Sequence, residues 1–216
     1  MPIETWAQNL FTDRVEFRNS LSREEVQSLI AYQRLKVLQC SKPVDTRTWK
    51  LLNDEFFTRR PEVELRIYGF YSSVCDLAFT SGMSNVRHFS ADSLMDATGI
   101  ENIAAMENLA SLGIGIYHLE GFGVLSQVTP GLVRLFLGST QSSKPDLLPL
   151  NRFVSLREIY IEGQQKNIEV LSQLEALEDI TLRSVSTPDI SYLTPLHRMW
   201  SLDIKLGGIK NLDAIR

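Results

Sequence analysis

Residues 156–182 read LREIYIEGQQKNIEVLSQLEALEDITL and contain two copies of a short apolar pattern. In each copy an apolar residue is followed by two other residues, a second apolar residue, one other residue and a third apolar residue. The apolar positions are Leu156, Ile159 and Ile161 in the first copy, and Leu177, Ile180 and Leu182 in the second. The two copies lie 21 residues apart. Such a recurrence indicates a repeat architecture, which has to be recognised before single helices or strands are assigned.

The pattern continues over most of the chain in both directions. Further copies are Val86-Phe89-Ala91, Leu109-Leu112-Ile114, Leu132-Leu135-Leu137 and Met199-Leu202-Ile204. Counted from Leu65, the successive middle positions are separated by 24, 23, 23, 24, 21 and 22 residues. Upstream, Leu35-Val37 and Val15-Phe17 extend the series with gaps of 30 and 20 residues, so that nine copies fit.

Each copy predicts one strand and one short helical segment. The alternating apolar residues are typical of a short strand with one buried face. Between the strands, apolar residues recur at every third position, as at Ile168, Leu171 and Leu174, which indicates a 3₁₀ turn or a tight helix. A unit of about 23 residues can bury its apolar edge only against its neighbours, so stacked copies form one continuous core.

The N-terminal copies, over residues 1–61, are irregular and contain longer helices. Ser22 and Glu25 form a capping box at the start of one predicted helix. A second helix is predicted between Asp45 and Arg60, with apolar residues on one face, and Pro61 ends it. Residues 62–216 contain the regular copies.

The pattern resembles the leucine-rich-repeat family, in particular the short repeats of internalin-like bacterial proteins, over about residues 12–216. The resemblance implies an α/β fold: a right-handed leucine-rich-repeat solenoid with a parallel concave β-sheet and short helical or 3₁₀ convex segments. The family places Asn or Cys three residues after the last apolar strand position, where only Cys40 matches. Ser20, Thr140 and Gln164 are polar substitutes there, so the usual hydrogen-bonded ladder is expected to be patchy. Cys40 is expected to be a buried structural thiol.

The residues that alternate with the buried strand positions are expected to face outward on the concave side. These outward positions are mainly basic in the first three copies, where Arg34, Lys36 and Leu38 would share one strand, and acidic further along the chain. Aromatic and arginine side chains dominate interface energies, so this long face predicts a protein-binding surface. The candidate partner-binding residues are Arg34, Lys36, Arg66, Tyr68, Arg134, Phe136, Glu158, Tyr160, Glu162, Asp179 and Arg183.

Sequence signatures of catalysis are absent, so the chain is predicted not to be an enzyme. It contains no nucleophile elbow, phosphate loop, HExxH motif or paired CxxC. His88, Ser90 and Asp92 alternate along one predicted strand like a hydrolase triad, but alternate strand positions lie about 6.5–7 Å apart. Catalytic groups need contacts of about 3 Å. No cofactor and no metal site is expected.

Composition and charge narrow the partner classes. The chain is 44% hydrophobic with a formal net charge of −4, which favours a globular core and argues against nucleic acid as a partner. No signal peptide and no run of about 20 apolar residues is visible, so neither export by that route nor a membrane anchor is expected. The sequence therefore predicts a cytoplasmic protein, although an effector exported by another route would share these features.

Residues 1–216 are expected to form a single leucine-rich-repeat domain that lacks a C-terminal cap. Ile209 and Leu212 begin another apolar segment just before the chain ends, so an uncovered apolar edge and self-association through it are expected. The functional hypothesis is a non-enzymatic protein-binding module that uses the concave sheet face, in the role of a bacterial inhibitor or immunity-type protein. The alternative is the recognition portion of a longer effector or multidomain protein whose activity lies beyond residue 216.

Overall fold

The computed structural model describes residues 6–8, 13–70, 73–142 and 144–215. The chain divides into two compact units, residues 1–109 and 110–216, which are described separately below. The sequence-based expectation of a single domain stays a prediction.

In its described residues the first unit has the strands β1 (Trp6–Gln8), β2 (Arg14–Phe17), β3 (Val37–Cys40), β4 (Glu64–Tyr68), β5 (Cys75–Asp76), β6 (His88–Leu94) and β7 (Ala97–Thr98). The main sheet has the order β1-β2-β3-β4-β6. Strand β1 is antiparallel to β2, whereas the other neighbours are parallel. Strands β5 and β7 form a separate short parallel ladder.

The helical segments of the first unit are longest near the N-terminus, as the sequence predicts. They are α1 (Arg23–Ala31), α2 (Thr46–Leu51), a π-helical continuation of α2 (Leu52–Phe57) and two 3₁₀ helices (Ala78–Gly82 and Ile100–Ala105). The capping box of α1 is present: the Glu25 N–H donates to the Ser22 hydroxyl, and the Ser22 N–H donates to the Glu25 carboxylate at 2.7 Å. Asp45 caps α2 by accepting a hydrogen bond from the Thr48 N–H at 2.8 Å.

The strands in the described part of the second unit are parallel and follow one another in chain order: β8 (Ser111–Ile116), β9 (Arg134–Leu137), β10 (Glu158–Glu162), β11 (Asp179–Arg183) and β12 (Ser201–Lys205). Its 3₁₀ helices are Gly123–Ser126, Leu148–Arg152, Ile168–Gln173, Ser191–Leu193 and Asp213–Ile215. The period-three apolar series folds as predicted around Leu148–Arg152, Ile168–Gln173 and Ser191–Leu193, where Leu150, Leu171 and Leu193 are at most 2% exposed. In the last series Leu212 is 50% exposed, so that series is not buried as predicted.

The strand register places equivalent apolar residues side by side. Leu135, Ile159 and Ile180 are neighbours on β9, β10 and β11, and each is at most 3% exposed. Because side chains alternate across a strand, the residues between them point to the opposite face of the sheet. We call this opposite side the solvent face.

The predicted register of the second copy is wrong. Leu38 lies opposite Val15 and is fully buried, so the strand is Val37–Cys40. Arg34 lies in a turn and Lys36 in the segment before β3, where the Lys36 N–H bonds to the Asp13 carbonyl. The early gaps become 23 residues, from Val15 to Leu38, and 27 residues, from Leu38 to Leu65. Leu35 is buried as well, and this additional apolar residue makes the alternating pattern ambiguous.

The corrected register moves Cys40 from the predicted loop position to the last buried position of β3. Its thiol is fully buried and donates to the Lys42 carbonyl at 3.0 Å, so the prediction of a buried structural thiol is confirmed. Gln164 does occupy the expected loop position, where its side-chain amide donates to the Gly138 carbonyl at 2.9 Å. Side-chain hydrogen bonds to loop backbone thus occur in some copies.

A left-handed backbone conformation recurs at one position of the repeat, two residues after the second buried strand residue. The residues with positive φ at this position are Gly69 (80°), Ser93 (54°), Gly163 (89°), Ser184 (54°) and Leu206 (54°). This conformation turns the chain out of the strand and favours glycine over residues that carry a Cβ atom.

Arg60 is a buried cation that closes the C-terminal end of α1. Its side chain donates to the carbonyls of Ile30, Tyr32 and Leu35 at 3.0–3.1 Å, and to the Glu62 carboxylate at 2.6 Å. The last carbonyls of a helix lack partners within the helix. Arg60 therefore supplies hydrogen bonds that the local sequence of α1 cannot.

Candidate functional site

On the solvent face of the first unit, Arg66 and Tyr68 both lie on β4, as predicted. The Arg66 guanidinium binds both carboxylate oxygens of Asp92 on β6, at 2.6 and 2.8 Å, and also donates to the Gln39 side chain at 3.2 Å. Its carbon Cζ lies 4.7 Å from the centre of the Tyr68 ring. The positive charge of Arg66 is therefore paired within the unit. The hydrogen bond to Asp92 is the main reason that the pKa of Arg66 is raised.

A second polar network lies at the carboxyl ends of β2 and β4. The Glu16 carboxylate accepts two hydrogen bonds from Arg18, at 2.8 and 2.9 Å, and one from the Ser41 hydroxyl at 2.6 Å. The hydrogen bond from Arg18 is the largest cause of the lowered pKa of Glu16. Burial, followed by the neighbouring Glu16 charge, raises the pKa of Tyr68.

These residues border a cavity of about 460 Å³, which is completed by Lys42, Pro43, Phe70 and Ser73. The apolar pattern does not predict this cavity, because the residues that line it come from loops as well as strands.

The solvent face of the second unit is centred on an aromatic pair. Phe136 on β9 and Tyr160 on β10 are direct neighbours in the register, and their ring centres lie 4.3 Å apart with an interplanar angle of 17°. Phe136 remains 38% exposed. Gly138 provides the space for the Phe136 ring, since a Cβ atom at position 138 would lie 3.2 Å from a ring carbon.

Ion pairs surround the aromatic pair. Arg134 bonds Glu158 at 2.9 Å, and Arg183 lies 3.3 Å from Glu162. The Tyr160 hydroxyl donates to Glu162 at 2.9 Å. Burial, followed by this hydrogen bond to a carboxylate, raises the pKa of Tyr160 to about 12.

The remaining predicted acidic residue, Asp179, accepts a hydrogen bond from the Ser201 hydroxyl at 3.1 Å. Most of the predicted binding residues on this face thus neutralise one another across adjacent strands.

Comparison with known proteins agrees with this geometry. An internalin (inlF) of Listeria monocytogenes is 15% identical, with a TM-score of 0.56 over 90% of this chain and 66% of that protein. A leucine-rich-repeat protein of Leptospira interrogans is 15% identical, with a TM-score of 0.53 over 89% of this chain and 53% of that protein.

The chain has the leucine-rich-repeat fold. It spans about two thirds of the internalin and about half of the Leptospira protein. No family model matches the sequence, and no curated protein matches it. The resemblance inferred from the apolar pattern is confirmed at the level of the fold.

The leucine-rich-repeat strand that carries His88, Ser90 and Asp92 is not arranged as a hydrolase triad. The Ser90 hydroxyl donates to the Glu64 carboxylate, and both Asp92 oxygens hold Arg66. The serine and the aspartate are thus engaged in cross-strand pairs, and Ser90 is buried, at 7% exposed, rather than on an exposed polar face.

A larger cavity, of about 610 Å³, lies beside the helical segments of the first leucine-rich-repeat unit. Trp49 of α2 stacks on Phe79 of the following 3₁₀ helix, with ring centres 4.0 Å apart, and both side chains line this cavity. Lys42, Lys50 and Asp76 are also among its lining residues. The period of the repeat does not reveal this contact, because the two rings come from different copies.

Within residues 6–8, 13–70, 73–142 and 144–215, no group of three His, Cys, Asp or Glu side chains could hold a metal ion. Over the same residues, no helix has both the length and the apolar character needed to cross a bilayer.

Proposed function

We propose that this chain is a non-enzymatic module that binds another protein through the solvent face of its sheet. The observation that carries the proposal is the stacked, partly exposed pair Phe136 and Tyr160 on the second unit. Aromatic side chains that are held rigidly before binding lose little conformational entropy when a partner covers them. They are also the residue types that most often dominate binding energy.

The paired charges refine the chemistry of this face. Arg134–Glu158 and Arg183–Glu162 are ion pairs within the unit, so neither sign of charge is left in excess around the aromatic pair. A partner therefore gains most by covering the aromatic rings, and the ion pairs form a polar rim around them. Arg34 and Lys36 lie outside the strands, and their role in binding remains a prediction.

The leucine-rich-repeat fold suits an inhibitor or immunity-type role, since a protein that covers a partner's active surface needs no catalytic group of its own. A recognition portion of a longer protein would use the same face, and this is the alternative proposal. A cytoplasmic location agrees with the two buried, unpaired cysteines, Cys40 and Cys75.

The test compares capture of partners by three forms of the chain. The wild type, the double variant Phe136→Ala with Tyr160→Ala, and the control Val154→Ala are immobilised, and bound proteins are identified by mass spectrometry. Val154 is an exposed apolar residue away from the strands, so the control truncates an exposed apolar side chain outside the proposed binding face. A partner found in this way is purified, and its dissociation constant is measured by calorimetry.

The expected result is a loss of affinity of about 30-fold or more for the double variant and less than about threefold for the control. Equal affinity of the wild type and the double variant for every captured protein would contradict the proposal. Circular dichroism spectra of the three forms have to match, so that loss of folding is not mistaken for loss of binding.

A further inference from the structure

One edge of the short strand β5 borders the cavity of about 610 Å³ in the first unit. In the residues that the structure describes, β5 pairs only with β7. The N–H groups of Cys75 and Leu77 donate to backbone carbonyls on the β7 side, at 3.1 and 2.9 Å. Because backbone groups alternate in direction along a strand, the N–H and C=O groups of Asp76 point away from β7. Asp76 lines the cavity, so these groups lie at its border.

The loop after β3 forms the wall of the cavity that faces this edge. It contributes Lys42, Pro43 and Val44 to the lining. The strand order β3-β4-β6 places this loop on the side of β5 that is turned away from β7. Within the described residues the loop makes no backbone hydrogen bond to β5, and Pro43 has no N–H to donate. The cavity therefore occupies the place where another strand could pair with β5.

Aromatic and aliphatic side chains line the interior of this cavity. Trp49 and Phe79 present their stacked rings to it, and Trp49 is only 8% exposed. Val74, directly before β5, is 54% exposed. A volume of about 610 Å³ lies within the range of about 300–1,000 Å³ that is typical of binding sites. It has room for a large apolar side chain together with the backbone that carries it.

The charges around the cavity favour an acidic residue in the occupant. In the part of the chain that the structure describes, the Lys42 ammonium has no carboxylate partner, whereas Lys50 bonds Asp54 at 2.8 Å. The Asp76 carboxylate is engaged as well, because it accepts a hydrogen bond from the Ala78 N–H at 2.9 Å. An acidic side chain beside Lys42 would gain a charge-assisted contact without breaking an existing ion pair.

We propose that this cavity binds an extended segment of a partner protein. The segment pairs with β5 as an additional strand, inserts a large apolar side chain beside Trp49 and Phe79, and places an acidic residue next to Lys42. In strand addition of this kind, the main-chain hydrogen bonds supply affinity and the pockets for alternate side chains supply specificity. The site is separate from the aromatic pair on the solvent face, so it goes beyond the proposed function.

A library of short random peptides displayed on phage is the probe for this site. It is panned on the 216-residue chain, and the enriched peptides are synthesised. Their dissociation constants are measured by calorimetry. The expected result is a set of peptides that combine a large apolar residue with an acidic residue. Failure to obtain such peptides would overturn the proposal.

Two substitutions at Asp76 separate the backbone from the side chain. Asp76→Pro removes the N–H that points away from β7, whereas Asp76→Ala removes the same side chain and keeps this N–H. The enriched peptides should bind Asp76→Pro about tenfold more weakly than Asp76→Ala, since a main-chain hydrogen bond is lost. Equal affinity for the two variants would overturn the proposed pairing. Circular dichroism checks that both variants fold.

Charge reversal tests the place of the acidic residue. Lys42→Glu should weaken binding of the peptides about fivefold or more at low salt, because like charges then meet at the rim. Arg87→Glu is the matched control, at an exposed position of the same unit that does not line the cavity, and should change affinity less than about twofold. Equal effects of the two variants would overturn the assigned chemistry.

Modified peptides test the pairing without any change to the protein. N-methylation of one peptide amide at a time removes one N–H, and only alternate N–H groups of a paired strand point to β5. Binding should therefore be weakened at every second position, and the absence of this alternation would overturn the proposal. The double variant Phe136→Ala with Tyr160→Ala should bind the peptides as the wild type does. The two proposals therefore fail independently.

Discussion

The role of Arg60 leads to a sharp stability prediction. Replacement of Arg60 by Met keeps most of the apolar stem but removes the guanidinium. This group donates to the backbone carbonyls of Ile30 in the last turn of α1, of its C-cap Tyr32, and of Leu35 in the segment that follows. Arg60 is only 8% exposed, so water can replace these donors only in part. A buried acceptor that loses its partner costs about 1–3 kcal/mol. The hydrogen bonds to the Ile30 and Tyr32 carbonyls are only partly buried, so the loss of these two should cost least.

The expected loss in the free energy of unfolding is therefore about 3 kcal/mol, a large share of the 5–15 kcal/mol that is typical of folded proteins. Arg60→Lys should lose about half as much, because one ammonium cannot reach the three carbonyls at once. The Glu62 carboxylate adds little to the cost, since its side chain is 61% exposed and remains hydrated.

Equilibrium urea unfolding, followed by far-ultraviolet circular dichroism, measures this loss. The neighbouring Arg59 is the matched control: it is exposed and donates one hydrogen bond to Gln27, so Arg59→Met should cost less than about 0.5 kcal/mol. If Arg60→Met cost no more than Arg59→Met, the assignment of Arg60 as the buried cap of α1 would be refuted.

Two further predictions concern the backbone and the thiols. Ser184→Gly should raise the free energy of unfolding by about 0.5 kcal/mol, and Gly163→Ala should lower it by about 1 kcal/mol, because both positions have positive φ. No atom would contact a Cβ at position 163, so the cost of Gly163→Ala comes from the backbone alone. Thermal melts that shift in the same direction for both variants would contradict this. Burial raises the pKa of Cys40 to about 11 and that of Cys75 to about 12, so neither thiol should react with a disulfide reagent at pH 8 until the protein unfolds. Both folded-state pKa values lie above the ordinary thiol value of 9.0, so the stability from the neutral thiols is fully present below pH 9 and is lost as the pH rises toward 11–12. Melts of the wild type and of the double variant Cys40→Ala with Cys75→Ala at several pH values would show this loss.

The repeat of the second unit could be predicted almost completely from the sequence. Its strands, including Ile159 and Ile180 as neighbours, lie where the period places them. The reason is that a period of two within a strand and a spacing of about 23 residues between strands are local properties of the chain. The same logic failed at Leu35 to Leu38, where two apolar residues of opposite parity compete. Pairing with Val15 decides between them, and this pairing exists only in the folded sheet.

The amino-acid order also determined which residues of β4 and β9–β11 point to the solvent face. It could not determine what those residues contact there. Phe136 and Tyr160 are 24 residues apart and meet because parallel strands bring equivalent positions of successive copies side by side. Arg66 and Asp92 are 26 residues apart and meet diagonally, because Asp92 lies beside Tyr68, two residues beyond Arg66 on the neighbouring strand. This stacking turned a predicted row of charges into neutral ion pairs around one aromatic pair. Which face of a strand a side chain occupies depends only on its position relative to the neighbouring residues. Its partner on the next strand depends on the length and conformation of the loop between the two strands, which set the register.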